Sequence, residues 1–173
     1  MQKHVLFIQG AGQGAYEEDG KLAEYLQDVL GSEYDVRYPR MPNEEKPEYE
    51  TWKAQIGEDL STLNGEVFLV GHSVGGSVLL KYLSEEEMTN TITGVFLIAP
   101  PYDESVLQED SSSKLHKVPS IFFYHSRDDE IVPFSHLTYY AEKLPKATIR
   151  KLDGRGHQFD NDLSEIVEDI KGL

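Results

Sequence analysis

The apolar residues of this chain form short runs that alternate with longer segments of helical periodicity. Six runs rich in β-branched and aromatic residues predict strands, at 5–8, 34–38, 67–70, 95–98, 120–124 and 148–152. Three of them, at 5–8, 67–70 and 95–98, are continuously apolar. Such runs are typical of central parallel strands that are covered on both faces.

Between the runs, apolar residues recur every three or four positions, as on one face of a helix. They are Leu22, Tyr25, Leu26, Val29 and Leu30, then Val78, Leu79, Tyr82 and Leu83, and finally Ile166, Val167 and Ile170. A more polar helix is predicted at 48–63. Regular alternation of strand and helix predicts a parallel sheet with helices on both faces. Ligands bind such sheets at the carboxyl ends of the strands, so candidate chemistry is expected there.

Composition and charge narrow the class of protein. A chain of 173 residues fits one domain, 1–173, with a core large enough to need no disulfide or metal. The net charge of −15 argues against binding to nucleic acid or to an anionic membrane. The absence of cysteine excludes disulfides, thiolate catalysis and cysteine zinc sites. No apolar stretch approaches 18 residues and no secretory leader is visible, so we expect a cytoplasmic protein. The oligomeric state is left open.

A nucleophile elbow follows the third run, where the sequence reads Gly71-His72-Ser73-Val74-Gly75 at the passage from strand to helix. This G-x-S-x-G turn holds its serine in a strained conformation and leaves no room for side chains at 71 and 75. The serine hydroxyl is thereby exposed beside the Val74 N–H, which lies at a helix N-terminus where negative charge is stabilised. The pattern predicts Ser73 as a nucleophile.

Two further strand ends carry an acid and a histidine. The sequence reads D-x-x-V-P at 129–133 and G-x-G-H at 154–157. Serine, then acid, then histidine is the chain order on α/β-hydrolase sheets. With these motifs the chain resembles the α/β-hydrolase superfamily, and within it the small serine hydrolases of the retinoblastoma-binding protein 9 type. The resemblance implies a single-domain three-layer α/β sandwich, a six-stranded parallel sheet of order 2-1-3-4-5-6, and no cap domain.

Carried over by position, the resemblance implies a catalytic triad of Ser73 as nucleophile, Asp129 as orienting acid and His157 as base. Asp128 is the alternative for the acid, because adjacent residues on one loop could exchange roles. His72 adjoins the nucleophile, but we expect it to point away from Ser73 and to have a supporting role.

The oxyanion hole needs two backbone N–H groups. The resemblance implies Val74 for one of them and the loop after the first strand for the other. In that loop, Gln9-Gly10 stands where many members of the superfamily have His-Gly. Since the donor is a backbone N–H, this change does not disable the site. We expect Ala11 to supply it, with Gly12 as the second choice.

The expected function is hydrolysis of a small ester, thioester or amide by a carboxylesterase-like serine hydrolase. Such chemistry needs no metal or organic cofactor, and the only partner expected is a small-molecule acyl substrate. The segment 100–119 has few apolar residues for a lid, so we expect a shallow, open site.

Two alternatives stay open. One is a protein-binding module that keeps a hydrolase fold without turnover. The other is a Rossmann-type dinucleotide-binding oxidoreductase, because 10–15 matches G-x-G-x-x-A and Asp35 follows about twenty residues later. Asp35, however, is expected inside the second strand rather than at its end.

Overall fold

All six predicted strands form one parallel sheet, in the order β2-β1-β3-β4-β5-β6. The computed structural model describes residues 2–107 and 112–173. Its strands are β1 (Lys3–Ile8), β2 (Tyr34–Arg37), β3 (Glu66–His72), β4 (Thr91–Ile98), β5 (Ile121–Ser126) and β6 (Thr148–Leu152). Its helices are α1 (Ala15–Leu30), α2 (Tyr49–Ser61), α3 (Val74–Glu85), α4 (Ser112–Leu115), α5 (Ser135–Lys143) and α6 (Ser164–Lys171). The predicted fold class and strand order are confirmed.

The strands and helices differ from the sequence pattern mainly at their ends. β4 begins at Thr91, four residues before the predicted start, and continues through Gly94. The helix predicted at 48–63 is α2. The pattern did not locate α5, because only two of its residues, Leu137 and Tyr140, are buried.

Alternating side chains of the central strands enter two separate cores. From β1, Leu6 and Ile8 join α2, α3 and α5 on one face of the sheet. Val5 and Phe7 join α1 and α6 on the opposite face. Because successive side chains of a strand point to opposite faces, a continuously apolar strand fills both cores at once. This explains the unbroken apolar runs of β1, β3 and β4.

The parallel arrangement brings the loops after β1, β3, β4, β5 and β6 to the same edge of the sheet. The predicted nucleophile, acid and base follow β3, β5 and β6, so the fold places them at one edge of the sheet. Of the segment 100–119, residues 108–111 lie outside the described residues. None of the helices described is long and apolar enough to cross a membrane.

Candidate active site

Ser73 occupies a strained turn between β3 and α3. Its backbone has φ 53° and ψ −126°, and residues other than glycine rarely adopt a positive φ. A Cβ at Gly71 would lie 2.7 Å from the Gly76 Cα, so the turn itself requires this glycine. A Cβ at Gly75 would lie 2.2 Å from the Gln9 carbonyl oxygen. Gly75 is therefore needed for the close approach of α3 to the end of β1, rather than for clearance within the turn.

Asp129 and His157 form the acid–base pair that the sequence predicts. The His157 Nδ1 lies 2.8 Å from Asp129 Oδ2. The Asp129 carboxylate is fully buried and also accepts the backbone N–H groups of Ile131 and Val132, each at 2.8 Å. Burial alone would raise its pKa, but the hydrogen bonds from His125, His157 and these two N–H groups outweigh burial and hold the pKa well below its ordinary value. Asp129 is therefore a carboxylate at neutral pH.

Asp128, the alternative acid, makes no hydrogen bond to the imidazole among the described residues and instead supports the loop that carries His157. Its Oδ1 accepts the Ser126 hydroxyl and the Gly156 N–H. The Ser126 oxygen in turn accepts the N–H of Arg155, at 3.0 Å. Asp128 thus fixes the residues immediately before His157, while Asp129 contacts the ring itself.

Ser73, the predicted nucleophile, and His157, the predicted base, lie at the same edge of the sheet. Ser73 is 9% exposed, and the His157 side chain is 12% exposed. Among the described residues, no hydrogen bond joins the Ser73 hydroxyl to His157. In unliganded enzymes this bond is commonly long and tightens only when substrate is bound.

The β1–α1 loop is held by Glu44. Its carboxylate accepts the N–H groups of Gly14 and Tyr16 at 3.2 and 2.9 Å, and its backbone carbonyl accepts the Gly12 N–H at 2.7 Å. The Gly12 N–H is therefore already used. The Ala11 N–H makes no hydrogen bond within the described part of the chain, which favours Ala11 over Gly12 as an oxyanion donor.

These contacts also bear on the dinucleotide alternative. In a Rossmann site the pyrophosphate binds the N–H groups at the start of the first helix. Here the Glu44 carboxylate occupies those N–H groups. Asp35 lies within β2, as expected, and pairs there with His4 and Arg37. The loop is closed by the protein's own carboxylate rather than open to phosphate.

A buried ion pair that the sequence analysis missed lies directly beneath the site. The Asp19 carboxylate accepts His72 Nδ1 at 2.9 Å, the Gly10 N–H at 2.8 Å and the Gln158 side-chain amide at 2.8 Å. The other ring nitrogen of His72 lies 2.9 Å from the backbone carbonyl of His157. Since both ring nitrogens face acceptors, the ring binds best as an imidazolium.

The environment of this pair agrees with that charge state. Asp19 and His72 side chains are each 3% exposed. Burial alone would lower the pKa of His72, but the Asp19 carboxylate outweighs burial and raises it. Burial alone would raise the pKa of Asp19, but the His72 charge and its hydrogen bond outweigh burial and lower it. As the sequence indicated, His72 points away from the nucleophile and supports the site. Across the described residues, no cluster of three or more His, Asp or Glu side chains is arranged to hold a metal ion.

A six-stranded parallel sheet of this order, with an elbow serine after β3 and an acid–histidine pair after β5 and β6, defines an α/β-hydrolase. The sequence model of the family described as serine hydrolase matches residues 18–162. The chain belongs to the serine hydrolase family. The finer similarity to the retinoblastoma-binding protein 9 type stays a prediction.

The relatives agree with this family. The YdeN protein of Bacillus subtilis is 25% identical over 132 residues, which cover 70% of this chain and 69% of YdeN. The YdeN crystal structure matches 99% of this chain and 98% of its own with a TM-score of 0.80, at 21% identity. The meta-cleavage product hydrolase CumD of Pseudomonas fluorescens matches 98% of this chain and 91% of its own, with a TM-score of 0.73 at 16% identity. Est1E of Butyrivibrio proteoclasticus matches 99% of this chain and 86% of its own, with a TM-score of 0.70 at 14% identity. These structural similarities establish the fold.

Proposed function

We propose that this protein is a carboxylesterase-like serine hydrolase that cleaves a small acyl substrate through Ser73, Asp129 and His157. The substrate is an ester, a thioester or an amide. The proposal is carried by one observation: the imidazole of His157, oriented by a buried carboxylate 2.8 Å away, lies at the same sheet edge as the strained elbow serine. No metal or organic cofactor takes part in the proposed chemistry.

The proposed reaction has two matched steps. His157 takes the hydroxyl proton as the Ser73 oxygen attacks the substrate carbonyl, and then gives that proton to the leaving group. Asp129 accepts the Nδ1–H throughout, so that the other ring nitrogen faces the serine and the imidazolium is stabilised. The N–H groups of Val74 and Ala11 stabilise the oxyanion, each by about 3–4 kcal/mol. Water then repeats the attack and releases the acid.

The test is labelling with a fluorophosphonate probe, read out by intact mass and peptide mapping. We expect one label per chain, on Ser73, and none in the Ser73→Ala variant. The matched control is Ser84→Ala, because Ser84 is also a buried serine on α3, and its hydroxyl donates to the Lys81 carbonyl at 2.7 Å. This variant should label like the wild type. Labelling that survives Ser73→Ala would refute the nucleophile assignment.

The same preparation separates an enzyme from a binding module on a hydrolase fold. Hydrolysis of p-nitrophenyl acetate that disappears in both Ser73→Ala and His157→Asn supports the enzyme. Stoichiometric labelling without turnover of any acyl ester, thioester or amide would support the binding module instead.

A further inference from the structure

A pocket of about 240 Å³ follows one face of α3 and begins at Val74, the residue after Ser73. The helix contributes Val74, Val78 and Lys81, which share a face because they are three or four residues apart. At 1.5 Å per residue, this face extends about 10 Å from the elbow.

Among the described residues, three aromatic side chains line the pocket, and the polar groups of Tyr49, Trp52 and Ser77 are already paired. The Trp52 indole N–H donates to the Pro42 carbonyl at 2.8 Å, and the Tyr49 hydroxyl donates to Glu85 at 2.7 Å. The Ser77 hydroxyl donates to the Pro101 carbonyl at 2.6 Å. With these donors used within the protein, the walls offer a ligand mainly apolar contact, which favours hydrocarbon.

The position of the pocket relative to the base decides which part of a substrate it receives. The leaving group must lie against His157, since the imidazole returns a proton to it. The described lining comes from 47–52, 74–81 and 101–103, and includes neither the His157 loop nor the Asp129 loop. Val74, whose N–H is the expected oxyanion donor, is one of the residues that line the pocket. A carbonyl bound to that N–H would therefore direct its acyl chain into the pocket and its leaving group toward His157.

We propose that this pocket binds the acyl group of the substrate and selects an uncharged chain of up to about eight carbons, aliphatic or aryl-alkyl. The inference rests on the proposed function and adds its substrate class. The size follows from the volume, because 240 Å³ corresponds to about eight times the roughly 30 Å³ that a water-sized atom occupies in a liquid.

The charges at the pocket explain the selection of an uncharged chain. Two carboxylates, Glu48 and Asp103, and one ammonium, Lys81, contribute to its lining. The Lys81 ammonium lies 4.3 Å from the centre of the Tyr49 ring and 3.4 Å from the Ser105 hydroxyl. A terminal carboxylate on the acyl chain would meet an excess of negative charge, and a terminal ammonium would meet the Lys81 ammonium as well as the two carboxylates. Either charge would also lose hydration against the aromatic walls.

The test measures kcat/KM for p-nitrophenyl esters from acetate to hexadecanoate, which share one leaving group. We expect about a fourfold gain per added methylene, equivalent to about 0.8 kcal/mol of burial, up to hexanoate or octanoate, and a decline from decanoate onward. The mono-p-nitrophenyl ester of hexanedioic acid matches octanoate in atom count but ends in a carboxylate. We expect its kcat/KM to be at least tenfold lower than that of octanoate.

Two variants tie this profile to the pocket. Val78→Phe fills it, and should lower the octanoate-to-acetate ratio of kcat/KM at least tenfold. The matched control Val29→Phe places the same substitution on an exposed position of α1 and should leave the ratio unchanged. Should Val78→Phe fail to fold, Tyr49→Ala provides the opposite change, since it enlarges the pocket and should move the optimum to longer chains.

The outcomes separate this inference from the proposed function. Ser73 labelling and acetate hydrolysis with a flat chain-length profile, or a profile that neither variant moves, would overturn the pocket inference alone. A preference for the hexanedioate ester over octanoate would overturn the selection of an uncharged chain. Loss of labelling together with no ester hydrolysis would overturn the proposed function itself.

Discussion

The buried ion pair beneath the site makes Asp19→Asn a strong test of how the site is held together. The Asp19 carboxylate accepts hydrogen bonds from three directions: Gly10, His72 and Gln158. An asparagine has one acceptor oxygen, and its amide hydrogens would face donors. The substitution changes almost no volume, so its effect reports on charge and hydrogen bonding rather than on packing.

The size of the effect follows from burial. Both side chains of the Asp19–His72 pair are 3% exposed, so removing one charge leaves the other without a partner in a dry environment. Breaking such a pair costs about 3–5 kcal/mol of unfolding free energy. For a chain of this size, we expect Tm to fall by about 10 °C.

The pH dependence provides an independent check on the same pair. Because the pKa of His72 is raised on folding, its contribution to stability is complete below the unfolded value of about 6.5 and is lost as pH rises through the folded value. Because the pKa of Asp19 is lowered, its contribution is complete above about 3.9 and is lost as pH falls through the folded value. The stability difference between wild type and Asp19→Asn should therefore be greatest near pH 5–6 and shrink on the alkaline side.

The assay is urea unfolding at several pH values, with Asp35→Asn as the matched control. Asp35 also pairs with a histidine, His4, at 3.2 Å, but the two side chains are 26% and 16% exposed. A partly exposed pair of this kind is expected to contribute about 1 kcal/mol or less. If Asp19→Asn lowers the unfolding free energy no more than Asp35→Asn does, or if its effect does not vary with pH, Asp19 and His72 are not the buried ion pair described above.

Three further expectations concern the acid and the backbone. Asp129→Asn should lower kcat for p-nitrophenyl acetate about 10⁴-fold through loss of tautomer control. Asp128→Asn should lower the same kcat less than about tenfold, because an amide oxygen still accepts from its partners. Equal losses would contradict the assignment of Asp129 as the acid. Gly57 lies in the interior of α2, where an added Cβ would make only ordinary contacts, so Gly57→Ala should raise the unfolding free energy by about 0.5–1 kcal/mol. Gly75→Ala should lower the unfolding free energy by about 3 kcal/mol or more. Urea unfolding that ranks the two variants the other way would contradict the packing described. Asp160 is exposed and has a left-handed backbone with φ 52°, which glycine adopts without strain. Asp160→Gly should therefore raise Tm or leave it unchanged. A fall in Tm would show that the backbone at Asp160 is not strained.

The fold could be predicted because local pattern and burial coincide in the central strands. Runs such as 67–70 are apolar on both faces, and only a strand between two layers of helices buries both. The helix α5 could not be located in this way. It buries only Leu137 and Tyr140, fewer than the three residues that α2 and α6 each bury. The early start of β4 was obscured by Gly94, a residue that is infrequent in strands.

The motif residues were found from the sequence because each follows a recognisable strand, and their roles stay predictions. The supporting residues were harder to find. Asp19 lies on the buried face of α1 with Leu22 and Leu26. An acid on an apolar helix face indicates a buried partner, and this was the one sequence signal that could have pointed to Asp19. Glu44 had no such signal, because it lies in a polar loop and contacts residues about thirty positions earlier. Contacts of this kind depend on tertiary structure and leave no local pattern.

The hydrogen bonds of the Asp19 carboxylate also bear on when, during synthesis, the protein could become active. They join Asp19 to His72, 53 residues later, and to Gln158, 139 residues later. At about 5–20 residues per second, the 85 residues between His72 and His157 take roughly 4–17 seconds to translate. Throughout that interval the nascent chain carries the elbow serine without the predicted base and with the hydrogen bonds of Asp19 incomplete. A ribosome-bound chain that stops before β6 should therefore be inert toward esters and fluorophosphonates, and reactivity should begin only once β6 and the loop after it have left the ribosome.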